Sequence, residues 1–191
     1  MGKAADFVEA YFDKVPEETF DRTLRVNAFG PYWLTFAFLP LLEKWKEHEF
    51  GDEGRKFPPQ VIMTSIMNGW TKDSNTSGRS YPYIFSKAAI GQATSALARE
   101  LLPLGVRVNG IAPGLFVSGM SAPGSTDAGG QSFSFAVPTP QLFEELGGPS
   151  NAGGSRRGVA SLVFFLLSNW YVNGETVLID GGTLLVHASS Y

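Results

Sequence analysis

The sequence predicts an α/β fold, a parallel β-sheet with helices on both faces. Three observations lead there. Helical and strand patterns alternate along the chain, an order that marks crossover units between parallel strands. The strand segments QVIMTS (60–65), VRVNGIAP (106–113) and ETVLID (175–180) are apolar enough throughout for a sheet buried on both faces. Finally, 191 residues with a hydrophobic fraction of 43% and a charged fraction of 17% suit one folded domain, and neither a repeat nor a second domain is visible.

Each element follows from local chemistry. Residues 1–17 carry no strong period. Pro16 then stands where a first helical position is expected, and Glu17 and Glu18 complement the helix dipole. A long helix should run from there to the Lys44 region, bending near Pro40, where a backbone donor is missing. Its stretch GPYWLTFAFLPLL (30–42) is too short to span a bilayer and predicts a buried helix. A polar loop leads to QVIMTS, and NGWTKDSNTSGRS returns to loop composition. The helix at 82–103 is crowded with small residues, among them Ala88, Gly91 and Ala98, so a neighbouring backbone can approach it closely. VRVNGIAP forms the next strand. The Gly-, Ser- and Pro-rich segment 115–156 is expected to be mobile, with one short helical candidate at PQLFEELG. RRGVASLVFFLLSN and ETVLID close the pattern.

Composition narrows the function. A net charge of −3 gives no footing for nucleic acid. The absence of cysteine removes disulfides, thiolate metal sites and cysteine nucleophiles, and no metal site is assigned. The amino terminus has neither a signal-peptide core nor a transit pattern, and no stretch spans a membrane, so a cytoplasmic location is expected.

The chemistry concentrates in YPYIFSKAAI (81–90). Tyr83 and Lys87 stand four apart and so share one helix face. A free phenol, with a pKa of about 10, is a poor base at neutral pH, and a nearby ammonium favours phenolate. The bare pair also reads as an ordinary amphipathic helix start with a solvated lysine. What raises the proton-transfer reading is its company: Ser65 ends one strand, Pro113 and Gly114 end the next, and Asn27 lies in the long helix. In open parallel sheets, ligands bind at the carboxyl ends of strands.

These segments, in this order, resemble the short-chain dehydrogenase/reductase family from about Val15 to Thr183. FDRTLRVNAFGPYWLTFAFLP looks like the family's asparagine helix, VIMTS its serine strand, YPYIFSKAA its Tyr/Lys helix, VRVNGIAPGLFVSGM its nicotinamide strand and loop, and NGETVLIDGG its closing strand. APGLFVSGM and YPYIFSKAAI look closest to 3-oxoacyl-carrier-protein reductase-like members. The resemblance implies a Rossmann-like, doubly wound sheet and NAD(P)-dependent carbonyl reduction or secondary-alcohol oxidation on a small-molecule substrate. It further implies that Tyr83 is the general acid/base, that Lys87 depresses its pKa and bonds the cofactor ribose, and that Ser65 donates to the substrate oxygen. Asn27 would hold a water linking Lys87 to solvent. Pro113 and Gly114, with Val117 and Ser118, would contact the nicotinamide of NADP or NAD. Pairing of two copies through the two central helices is likewise implied.

Two departures are local. Ser65 stands with Ile66 next and Gly69 four beyond, which leaves the serine register open by one residue, and the loop to Tyr83 is longer than the usual spacing. Its excess must bulge into solvent or over the site. A larger departure is the missing glycine-rich turn after a first strand, where a pyrophosphate would be held. The expectation is therefore a partial Rossmann-like domain lacking its first strands and binding cofactor weakly or not at all on its own. The alternative is a truncated, non-catalytic remnant that docks onto a full-length homologue. In either case QVIMTS would present an unpaired hydrophobic edge.

Overall fold

The computed structural model describes residues 2–47, 57–77, 80–116 and 154–191. Three parallel strands form the sheet in the order β1-β2-β3: β1 Gln60–Thr64, β2 Arg107–Pro113 and β3 Thr176–Ile179. The helices are α1 Ala4–Val8, α2 Glu17–Leu24, α3 Gly30–Glu43, α4 Ser74–Ser77, α5 Tyr81–Glu100, α6 Arg156–Ser168 and α7 Thr183–Val186. The α/β class and parallel sheet stand as the sequence predicts. The candidate helix PQLFEELG, together with Val117, Ser118 and most of segment 115–156, lies outside the described residues.

Register sorts the side chains. Val61 pairs with Val108 and Gln60 with Arg107. Val61, Met63, Val106 and Val108 pack with Ile90, Leu97 and Ala98 of α5 and with Leu39 and Leu42 of α3. On the other face, Gln60 and Arg107 reach the carbonyls of α6. Helices thus cover both faces, and residues 107–112 of β2 are all buried.

Arg107 and Asn109 are the polar members of this central strand, 5% and 0% exposed. The Arg107 guanidinium donates to the carbonyls of Leu166, Leu167, Asn169 and Val172. It thereby satisfies the carboxyl end of α6, whose last carbonyls have no helical partners. Asn109 donates to Val172 O and accepts from the Glu175 amide. The turn from α6 into β3 is therefore built on two side chains of β2.

Several expectations change. The segment 1–17 contains α1 and a π-helical turn, Glu9–Asp13. The long helix is interrupted by a second π-helical turn, Arg25–Phe29, and continues past Pro40 to Glu43. The stretch 30–42 is not a buried helix: Trp33, Leu34, Phe38 and Leu41 are each more than half exposed, and Thr35 is the buried residue of α3. One side of the helix packs on the sheet and α5, while Trp33, Leu34, Phe38 and Leu41 stay largely exposed. As expected, β1 is an edge strand among the described residues.

Close backbone approach at the end of β2 requires a glycine. A Cβ on Gly114 would stand 2.6 Å from both Cα and Cβ of Asp180. Gly114→Ala should therefore prise the end of β2 from the residue after β3, destabilising the chain by about 1–3 kcal/mol. Thermal denaturation of the variant beside wild type measures it.

Candidate functional site

The carboxyl ends of β1 and β2 face the amino-terminal half of α5, and the sequence places the polar residues there. Ser65 continues β1, its amide donating to Ile111 O at 2.9 Å. Its side chain is 3% exposed, and its hydroxyl donates to the Lys87 carbonyl at 2.7 Å. The small residues of α5 permit this approach: a Cβ on Gly69 would lie 3.2 Å from the Ala88 nitrogen. One on Gly91 would lie 3.2 Å from the Trp70 ring and 3.8 Å from the Ser65 hydroxyl.

Lys87 is half-buried, and its ammonium donates to the Thr64 carbonyl at 2.9 Å while lying 5.7 Å from the centroid of the Tyr83 ring. The strand end thus anchors the lysine one helical turn from the phenol. Asn27 sits in the π-helical turn Arg25–Phe29, where the extra residue re-aims the helix face. Its amide donates to Ser86 Oγ at 3.1 Å, and Ser86 donates to Tyr83 O at 2.7 Å. Asn27 is thereby joined to the Tyr/Lys helix through Ser86.

The electrostatics depart from the sequence reading. Burial pushes the Tyr83 phenol above its ordinary value of 10.0, and burial also pulls Lys87 below 10.5. Both shifts favour the neutral form, because desolvation penalises charge. Here the Lys87 ammonium donates to Thr64 O, and desolvation is what moves the Tyr83 phenol upward.

Lys87 also carries a pH signature. An unfolded lysine keeps its proton up to about 10.5, whereas folded Lys87 releases it earlier. The unfolded state binds more protons in that interval, so stability rises with pH through it. Wild type should accordingly gain stability relative to Lys87→Met as pH climbs towards 10.5. Urea denaturation of both proteins across that window reads the difference, and a constant gap would contradict the shift.

Pro113 ends β2 and Gly114 follows it, its amide donating to Ile179 O at 2.9 Å. Asp180, Gly181 and Gly182 follow β3, with both glycines at positive φ, +66° and +86°. The amides of Gly182 and Leu184 in this turn already bind the Asp180 carboxylate, at 2.9 and 2.8 Å. The anion position of this glycine turn is therefore filled by the chain itself. Arg156 and Arg157 are exposed at the start of α6. Sequence reasoning missed the Asp73–His187 pair, at 2.7 Å, and the structural roles of Arg107 and Asn109. A charged and an amide side chain inside an otherwise apolar strand were the available signal for the latter two.

A family model described as Enoyl-(Acyl carrier protein) reductase matches residues 1–183. A fungal relative, Short-chain dehydrogenase/reductase SAT3 of Stachybotrys chartarum, is 30% identical over 94% of this chain and 67% of its own length. The chain belongs to the short-chain dehydrogenase/reductase family. Human Dehydrogenase/reductase SDR family member 4 is 33% identical over 88% of this chain and 52% of its own length. Among solved structures of the fold, the Pseudomonas aeruginosa RhlG/NADP active-site complex superposes with a TM-score of 0.66, at 26% identity over 87% of this chain. A Leptospira borgpetersenii short-chain dehydrogenase with bound NAD+ gives a TM-score of 0.62 at 23% identity over 90%. The chain spans about half to two-thirds of the curated relatives and about 60% of the solved chains. Among the described residues of this short-chain dehydrogenase/reductase, no helix is long and apolar enough to cross a membrane.

Proposed function

We propose that this chain carries the proton-transfer half of an NAD(P)-dependent oxidoreductase acting on a small carbonyl compound or the corresponding secondary alcohol. The observation that carries the reading is the half-buried Tyr83 phenol and Lys87 ammonium, one helical turn apart beside the carboxyl end of β1. NADP or NAD, as in the two solved relatives, would supply or accept the hydride. Tyr83 hydrogen-bonds the carbonyl oxygen and, because burial keeps it protonated, gives its proton to the oxygen as negative charge develops there. The Lys87 ammonium then faces a phenolate and stabilises it. Ser65 can donate to the same substrate oxygen only by turning its hydroxyl from the Lys87 carbonyl. Asn27, through Ser86, holds the first turn of α5 in place.

The residues fit the reactive end of the cofactor. Lys87 uses one of its protons on Thr64 O, and the others would be left for the hydroxyls of a bound ribose. Pro113 and Gly114 would border the nicotinamide, and Val117 and Ser118 would follow them. The pyrophosphate end has no comparable cradle among the described residues, since the glycine turn after β3 holds Asp180. Weak cofactor binding is therefore expected. NADPH and NADH at millimolar excess should still raise the melting temperature of this chain, since a ligand selective for the native state stabilises it by mass action. Absence of a shift with either cofactor would refute binding by the chain on its own.

Exposed apolar side chains on α3 and at the start of α5, including Trp33, Leu34, Phe38 and Phe85, support pairing of two copies through these helices.

A further inference from the structure

The sequence leaves the excess of the loop between Ser65 and Tyr83 to bulge into solvent or over the site, and in the structure residues 70–73 of it pair with residues 187–191. The Lys72 amide donates to Ala188 O at 2.7 Å, and the Ser190 amide donates to Trp70 O at 2.8 Å. Thr71 and Ser189 form an antiparallel bridge between these two bonds. On one side of the bridge, His187 Nδ1 meets Asp73 Oδ2 at 2.7 Å, with both side chains largely buried. On the other, the Tyr191 ring packs edge-on against Trp70, with centroids 5.4 Å apart. The Tyr191 hydroxyl accepts from the Leu178 amide of β3 at 3.4 Å, which ties the end of the strap back to the sheet.

We infer that residues 187–191 are a strap that positions the post-Ser65 loop, with His187 and Tyr191 as positioning residues acting through Asp73 and Trp70. The strap matters to the pocket because of what Trp70 touches. Its ring lies over Gly91, within van der Waals reach of where a side chain there would begin, and the Ser65 hydroxyl borders the same point. Gly69, one residue earlier, rests on the backbone of Lys87 and Ala88. Pulling Trp70 outward would open the packing beside Ser65 and Lys87, while leaving β2 and its bonds to α6 intact. The strap therefore holds the packing beside Ser65, on the side of the site where a substrate would lie. That last step rests on the function proposed above; the strap itself does not.

Amide hydrogen exchange tests the strap without any assay of turnover. His187→Ala and Tyr191→Ala should each speed exchange at the Lys72 and Ser190 amides by roughly tenfold, with β2 amides unchanged. Tyr191→Phe keeps the ring against Trp70 and should restore most of the protection. Unchanged protection in both alanine variants would overturn the strap, whatever the site does. With turnover of a carbonyl substrate in hand, the alanine variants should raise KM roughly three- to tenfold with kcat nearly constant, and Tyr191→Phe should recover it. Faster exchange with an unaltered KM would overturn the positioning role and leave a purely structural strap. If wild type shows no turnover, or Tyr83→Phe turns over like wild type, the proposed site fails and the positioning role fails with it. The exchange result stands apart from that outcome.

Discussion

Tyr83→Phe is expected to lower the rate of carbonyl reduction by about 10²–10⁴-fold, the range a positioned general acid contributes. The ring and its packing survive the change, so cofactor-induced stabilisation should alter little. Loss of reduced-nicotinamide absorbance in the presence of a carbonyl panel measures the rate, and a residual rate within a few-fold of wild type would end Tyr83's role. The pH dependence supplies a second check. Because burial raises the phenol above 10.0, Tyr83 holds its proton throughout the neutral range. Reduction should therefore show no loss assignable to Tyr83 until pH exceeds 10.0, where ionisation removes the acid. Bound cofactor that draws Lys87 from Thr64 O towards the phenol would move this limb downward, since an adjacent ammonium favours phenolate.

Arg107→Ala should be among the most destabilising single changes in the chain, costing about 3–5 kcal/mol, because several buried carbonyls lose their donor together. Four carbonyls at the end of α6 and in the turn after it would lose their donor at once. Burial already pulls the guanidinium below its ordinary value of 12.5, so the network retains a charge against a desolvation cost. Arg107→Lys should recover only part of the loss, because one ammonium cannot match the planar fork. Chemical denaturation reads both variants, and a loss under about 1 kcal/mol in Arg107→Ala would show that these bonds carry no net stability.

How much was legible beforehand differs by residue type. The strands at 60–65, 106–113 and 175–180 and the helices starting near Pro16, Tyr81 and Arg156 were readable, because each depends on apolar runs, prolines and glycines within a few residues. The closeness of α5 to its neighbours was also readable, since Gly91 leaves room for the Trp70 ring and Gly69 rests on the backbone at Ala88, where larger side chains would not fit. The exposed character of α3 was not, because a stretch such as GPYWLTFAFLPLL specifies burial without naming what buries it. The roles of Arg107 and Asn109 escaped for a related reason: their partners lie about 60 residues away in sequence.

Local pattern was enough to establish the α/β class, the order of strands and helices, and the four-residue spacing that puts Tyr83 and Lys87 on one face. Those properties belong to short stretches of backbone and their side-chain periods. Tertiary packing alone decided the protonation tendency of the pair, the turning of Ser65 onto the Lys87 carbonyl, and the clasp between His187 and Asp73. Each of these depends on how far water is excluded or on groups brought together from distant parts of the chain. Neither quantity is written in any single segment.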